Sequence, residues 1–137
     1  MKKAGLILLV LVILGGWAIK DSEAGQWCWQ LADSNLYMKL SFAKNDPNYP
    51  FWTLAGIWYS PGNPILPISG TMVKSADGTR RLLTLNMTNL DALSWVGYAD
   101  IDALTKNGPI IFYLANNDTY STAHTLTKVS CSSLPAP

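Results

Sequence analysis

Glutamate does not occur anywhere after Glu23, and no long run of charge of one sign occurs anywhere in the 137-residue chain. Helix surfaces favour Glu, Lys, Ala and Leu. A stretch without glutamate but rich in Thr, Tyr, Trp, Ile and Asn points to strands instead. The bases after Gly25 (Lys39, Lys44, Lys74, Arg80, Arg81, Lys106, Lys128) are matched one for one by aspartates (Asp33, Asp46, Asp77, Asp91, Asp100, Asp102, Asp118). That near-zero balance leaves no basic patch for nucleic acid and no acidic face for cationic partners. Histidine occurs once, as His124, and cysteine twice, as Cys28 and Cys131. No metal cluster and no nucleophile–base pair can be read from so few groups, so no enzyme, metal site or cofactor is expected. His124, beside Thr122 and Thr125, reads first as a hydrogen-bonded structural residue. Asp100 and Asp102 share a strand face, but two side-chain carboxylates are too few for calcium. Solvation, or pairing with Lys or Arg, is expected for them. No repeat, interdomain linker or helix longer than a turn is visible.

One apolar run is present. It covers residues 4–19, follows Lys2 and Lys3, and gives way to a polar stretch at 20–24. This order is that of a secretory signal peptide. Cleavage after Ala24, with Ser22 and Ala24 as the small residues, and cleavage after Ala18, with Gly16 and Ala18, are both open. A retained membrane anchor is the alternative, although the run is shorter than the roughly 20 apolar residues of a spanning helix. No lipobox-like cysteine follows it. The expected organisation is a signal peptide over 1–24, one domain over 25–131 and a loose tail over 132–137. The expected location is secreted or periplasmic, with no membrane contact after cleavage. In such a compartment Cys28 and Cys131 pair with each other.

Turn signals recur at short spacing along the rest of the chain. Strands are predicted over 26–31, 36–43, 52–60, 65–75, 80–87, 95–104, 110–114 and 120–131. Asp33-Ser34-Asn35, the loop 45–50, the Pro-rich 61–64, the hairpin signal Ala76-Asp77-Gly78-Thr79, and segments 89–94, 106–109 and 116–118 separate them. Pro67 makes the start of the fourth strand irregular or edge-like. Eight strands with short connections form an antiparallel meander, and eight can close on themselves and remove their edges. The predicted fold is all-β, an eight-stranded up-and-down barrel, with a two-sheet sandwich as runner-up. If Trp27, Trp29 and Leu31 face inward, Cys28 faces outward. If His124 and Leu126 face inward, so does Cys131 face outward. Both sulfurs are then expected on the outer surface where the first and last strands meet.

Four segments resemble a known family. Gly25-Gln26-Trp27-Cys28-Trp29-Gln30-Leu31 resembles the Gly-x-Trp first strand of calycin barrels, a group that includes the lipocalins, and of the avidin and streptavidin group in particular. Leu54-Ala55-Gly56-Ile57-Trp58-Tyr59-Ser60 resembles that group's third-strand Leu-x-Gly-x-Tyr-x-Ser. Ser94-Trp95-Val96-Gly97 is similar to its Thr-Trp-Ser-Gly, and His124-Thr125-Leu126-Thr127-Lys128-Val129 to its closing Asp-Thr-Phe-Thr-Lys-Val. Order and approximate spacing agree across most of the chain, which implies the eight-stranded barrel. The positions that hold biotin in that group mostly differ. Trp29 stands at the asparagine position, Asp33 at a serine, Trp58 at the tyrosine, Leu93 at a threonine and His124 at the aspartate, while Ser60 matches. Unpaired buried polar groups cost roughly 1–3 kcal/mol each, so tight biotin binding is not expected.

The interior residues then define the functional expectation. Trp27, Trp29, Trp58, Ser60, Trp95 and His124 are the candidate ligand-binding set, because aromatics with a few polar groups line small-molecule pockets. A packed interior without ligand competes with this reading, since Trp and Tyr also fill small barrels and Trp29 and Trp58 would shrink a cavity. The first expected function is a binding module for an apolar or aromatic small molecule. The alternative is a protein-interaction barrel, such as an inhibitor of a secreted enzyme, acting through the loop 45–50 and the segment 61–67 on an exported partner. Self-association stays open. Asn86-Met87-Thr88 and Asn117-Asp118-Thr119 match glycosylation sequons, relevant in a eukaryotic secretory pathway.

Overall fold

A computed structural model describes residues 24–32, 34–44, 46–88, 93–115 and 121–137. The leader expected over 1–24 lies outside these residues except for Ala24, as do Asp33, Asp91, Asp118 and the second sequon. Eight strands follow in order: β1 Ala24–Leu31, β2 Tyr37–Ala43, β3 Phe51–Tyr59, β4 Leu66–Lys74, β5 Arg80–Thr88, β6 Ser94–Asp102, β7 Gly108–Leu114 and β8 Ser121–Val129, then a 3-10 turn at Cys131–Ser133. Every sequential pair is antiparallel, and β8 returns to pair with β1 over Cys28↔Val129 to Leu31↔Leu126. The sheet is a closed meander barrel, as the sequence predicts.

Side-chain alternation explains the closure. In each strand every second residue faces the axis, because successive side chains point to opposite faces. Trp29 and Leu31 of β1, Met38 and Leu40 of β2, Leu83 and Leu85 of β5, Ile101 of β6, Ile110 of β7 and Leu126 of β8 are all at most 1% or 2% exposed. They join one core cluster with Trp52, Leu54, Trp58, Ile68, Met72 and Phe112. The outward positions between them, such as Ser41, Thr53, Thr71, Thr84, Asn86 and Thr127, are exposed and polar. An apolar interior under a largely polar exterior is the reverse of what a lipid-facing barrel presents.

Two prolines sit inside strands, each where only one neighbour needs a hydrogen bond. Pro67 pairs with Ile57 of β3, one residue before the β4–β5 ladder begins at Ile68↔Met87. Pro109 pairs with Thr125 of β8, just beyond the last β6–β7 pair, Ala99↔Ile110. The seventh strand therefore starts two residues earlier than the turn signal at 106–109 implies.

The last strand ends earlier than predicted. Val129 closes β8, and Cys131 lies in the following turn, so strand parity does not govern its direction. The Cys28–Cys131 disulfide still forms, with Cα atoms 5.2 Å apart. Cys28 faces outward yet is 0% exposed, against the expectation of a surface sulfur. The covering comes from the segment expected to be loose. After Val129 the chain turns back over the outside of the barrel, and the Tyr59 hydroxyl donates to the Pro135 carbonyl at 2.8 Å.

Candidate functional site

In a meander barrel alternate connections lie at opposite ends, and here the two ends differ in chemistry. One end gathers the start of β1, the β2–β3 and β4–β5 connections, and the β6–β7 loop 103–107. Trp27 stacks edge-on to Trp29 at 5.9 Å and lies on Phe42 at 4.4 Å. Lys106 Nζ sits 4.9 Å from the centre of the Trp27 rings, and the Trp29 indole N–H donates to the Lys106 carbonyl at 2.7 Å. Lys106 holds a left-handed backbone (φ 63°), which a non-glycine residue adopts at a cost of order 1 kcal/mol. The loop is set up for it by Asp102, whose carboxylate accepts from the Leu104 and Thr105 backbone N–H groups at 2.8 and 2.7 Å. Those bonds hold the Asp102 carboxyl below its ordinary range. Nearby, Trp52 lies under Lys44 Nζ at 5.2 Å and the Arg81 guanidinium at 5.7 Å. Cations within about 6 Å of the ring centres cover Trp52 and the half-buried Trp27, and in that sense this is the closed end.

The opposite end gathers the β1–β2 turn and the β3–β4, β5–β6 and β7–β8 connections. Here Trp58 of β3 meets Phe112 of β7 edge-on at 4.7 Å and His124 of β8 at 6.2 Å. Gly97 of β6 makes room for this cluster, since a Cβ there would sit 2.5 Å from the Phe112 ring. Trp95, Leu36 and Leu66 pack against the core from partly exposed positions, and Thr122 and His124 are likewise half-buried. His124 also borders an outer concavity of about 530 Å³ with Ala32, Ser34, Pro109, Ala123 and Thr125.

The predicted set is thus split. Trp58, His124 and Trp95 belong to the partly open end. Trp29 shares a cross-strand row with Trp58 through Met38, but its indole is directed to Lys106 in the closed end, where Trp27 also lies. Ser60 follows β3 at the open end, where its hydroxyl accepts from Asn63 at 2.8 Å within the β3–β4 turn. Phe112 is missing from the predicted set. The run Ile110-Ile111-Phe112 is apolar throughout, so no alternation marked which side chain faces inward. Arg80 and Arg81 open the fifth strand side by side. Arg80 does face outward and pairs with Asp100 at 2.7 Å, whereas Arg81 faces inward and is 5% exposed.

The two loops expected to form one interaction surface are separated. They flank β3, so the loop at 45–50 lies at the closed end and the segment 61–67 at the open end, with Tyr49 and Ile65 exposed respectively. A broader apolar surface lies elsewhere. Val73, Leu82, Tyr98, Ile111 and Tyr113 are exposed on the outer face of β4–β7, where a concavity of about 460 Å³ runs between them. Asn86 and Thr88 of the first sequon are exposed on the same side.

No family model, no curated protein and no solved structure matches the chain. What stands of the family likeness is the architecture, a closed eight-stranded antiparallel barrel, which is consistent with a calycin-like fold.

Proposed function

We propose that the protein is an exported binding module that takes an apolar or aromatic small molecule at the Trp58 end of the barrel. The observation that carries this reading is the asymmetry between the ends. Trp27, Trp29 and Trp52 are plugged by cations and a hydrogen-bonded loop, while Trp58, Phe112, Trp95 and His124 form an aromatic group with one polar ring among partly exposed neighbours. Aromatic walls with few polar groups favour planar or apolar ligands. The avidin-group likeness of the four segments supports a ligand at this end, and the missing polar set argues against biotin. An exported location is supported by the disulfide, which persists in oxidising compartments.

The test is tryptophan fluorescence of the oxidised protein titrated with biotin, fatty acids and aromatic metabolites. Saturable quenching by one class, abolished by Trp58→Leu but kept by Trp27→Phe, supports the reading. A flat response to every class sinks it. A second reading, a protein-interaction barrel, is favoured by the exposed apolar residues on the outside of β4–β7, since contiguous patches of that kind mark interaction surfaces. It predicts a stable complex with an exported protein, weakened by Tyr98→Glu and untouched by Trp58→Leu.

A further inference from the structure

We propose that the outer ledge formed by Tyr37 and Tyr59 is a binding site for extended, proline-bearing peptide, engaged in this structure by the chain's own Pro135. The inference is independent of the small-molecule reading, because the ledge is on the outside of β2 and β3.

Tyr59 ends β3 and faces outward, yet is 3% exposed. Its ring lies 5.7 Å from that of Tyr37, its direct partner in the β2–β3 ladder, at a shallow 32°. The Tyr37 hydroxyl donates to the Asn35 side chain at 3.0 Å, which holds the first ring in place. The two rings make an aromatic platform with the Tyr59 hydroxyl at one side. That hydroxyl donates to the Pro135 carbonyl at 2.8 Å. Burial, and next to it the neighbouring Tyr37, raises the Tyr59 pKa above its ordinary value, so the hydroxyl remains a donor further into alkali than a free tyrosine.

The segment on the platform has the matching conformation. Ser130 (φ −67°, ψ 133°) and Leu134 (φ −66°, ψ 137°) both lie in the polyproline II region. Pro135 and Pro137 hold φ near the same value. A polyproline II strand makes no internal hydrogen bonds, so its carbonyls are free to accept from a side chain. Aromatic rings under prolines, with one donor to a backbone carbonyl, are the chemistry by which proline-rich peptides are recognised.

The hold on this segment is slight. The disulfide fixes it at Cys131, and the bonds from Ser133 to the Ser130 carbonyl are internal to the turn. Beyond them, Tyr59 to Pro135 is a hydrogen bond that ties it to the barrel among the described residues. A short tether keeps such a segment at a millimolar effective concentration, so even a weak site stays filled. A proline-bearing segment of another exported protein can then compete for the same rings.

The test uses a chain shortened after Ser133, which keeps Cys131, and a synthetic peptide of residues 132–137, followed by NMR. The peptide is expected to shift the Tyr37 and Tyr59 ring resonances of the shortened protein saturably. Its affinity for the full chain should be several-fold weaker, because the tethered segment competes. Tyr59→Phe in the shortened chain should weaken binding roughly two- to tenfold, as loss of one neutral hydrogen bond does. A folded shortened chain that shows no saturable shift at millimolar peptide overturns the proposal. So does equal binding of a peptide with both prolines replaced by alanine. If the shortened chain does not fold, Tyr59→Phe in the full chain serves instead. The Leu134 and Ala136 resonances should move towards unfolded values. Unchanged resonances would refute the site.

Discussion

Reduction of the Cys28–Cys131 bridge should cost the protein far more stability than any surface change, and the size follows from where the bridge sits. The two cysteines are 103 residues apart, so the closed loop takes in nearly the whole barrel. For a loop of about 100 residues, chain entropy gives about 16 cal/mol/K, or about 4.7 kcal/mol at 25 °C. The native state gives little of this back, because the β1–β8 ladder from Cys28↔Val129 to Leu31↔Leu126 holds the closure without the sulfurs. The penalty therefore lies in the unfolded chain. With an unfolding entropy of about 2.1 cal/mol/K per residue over roughly 110 residues, the loss lowers Tm by about 20 °C. The assay is urea unfolding of oxidised and phosphine-reduced protein, read by tryptophan fluorescence. The midpoint should fall, and the m-value should rise as the unfolded chain is released to expand. A loss under about 1.5 kcal/mol with an unchanged m-value would refute the unfolded-state account, since that account requires most of the loop entropy to appear. The Cys28→Ala/Cys131→Ala double variant should match the reduced protein without reductant.

Four further outcomes follow from the structure. Gly97→Ala should cost about 1–3 kcal/mol by driving its methyl into the buried Phe112 ring, and Phe112→Leu added to it should recover part of that; a double variant no more stable than the single would contradict the contact. Trp58→Leu should remove the ligand-dependent fluorescence change without altering the Trp27–Lys106 end, checked by the unperturbed resonances of loop 103–107. In the β4–β5 turn, hydrogen bonds from the Ser75 hydroxyl and the Thr79 backbone and hydroxyl hold the Asp77 carboxyl at about 2, down from 3.8. A depressed pKa means that the turn is fully supported above about pH 3.8 and loses that support as pH falls towards 2, so Thr79 amide exchange should rise in that window and Asp77→Asn should abolish the pH dependence. At the other extreme Tyr59 has a raised pKa, so its contribution is complete below pH 10.0 and is lost as pH rises through the higher folded value. The segment at 134–137 should then detach in alkali, and in Tyr59→Phe the NMR signals of Leu134 should show no such alkaline transition.

Much of the architecture was legible from residue order because strands obey a local rule. A period of two, interrupted by Asp-Gly, Pro-Gly and Asn-rich turns, marks eight strands and short connections. Short connections leave antiparallel neighbours as the available topology. Where the local rule was silent, the reading slipped. The uniformly apolar Ile110-Ile111-Phe112 hid Phe112 from the candidate set, and nothing in Arg80-Arg81 shows which of the two faces inward. Cys131 was given a strand parity that it does not have, because nothing in Ser130-Cys131-Ser132 shows that β8 has already ended.

By itself, then, the order of residues determined the eight strands and, wherever they alternate, which side chains share a face. It could not determine how far along the axis each inward residue sits, or which way a long side chain turns once inside. Those depend on the tilt of the strands and on contacts between strands distant in sequence. The tertiary structure decided that Trp29 turns to the Lys106 carbonyl while Trp58, two strands away in the same row, turns to Phe112 and His124. It also decided that the chain beyond Cys131 returns to Tyr59, because that segment belongs to no strand and is placed by the disulfide and the bond from the Tyr59 hydroxyl to Pro135.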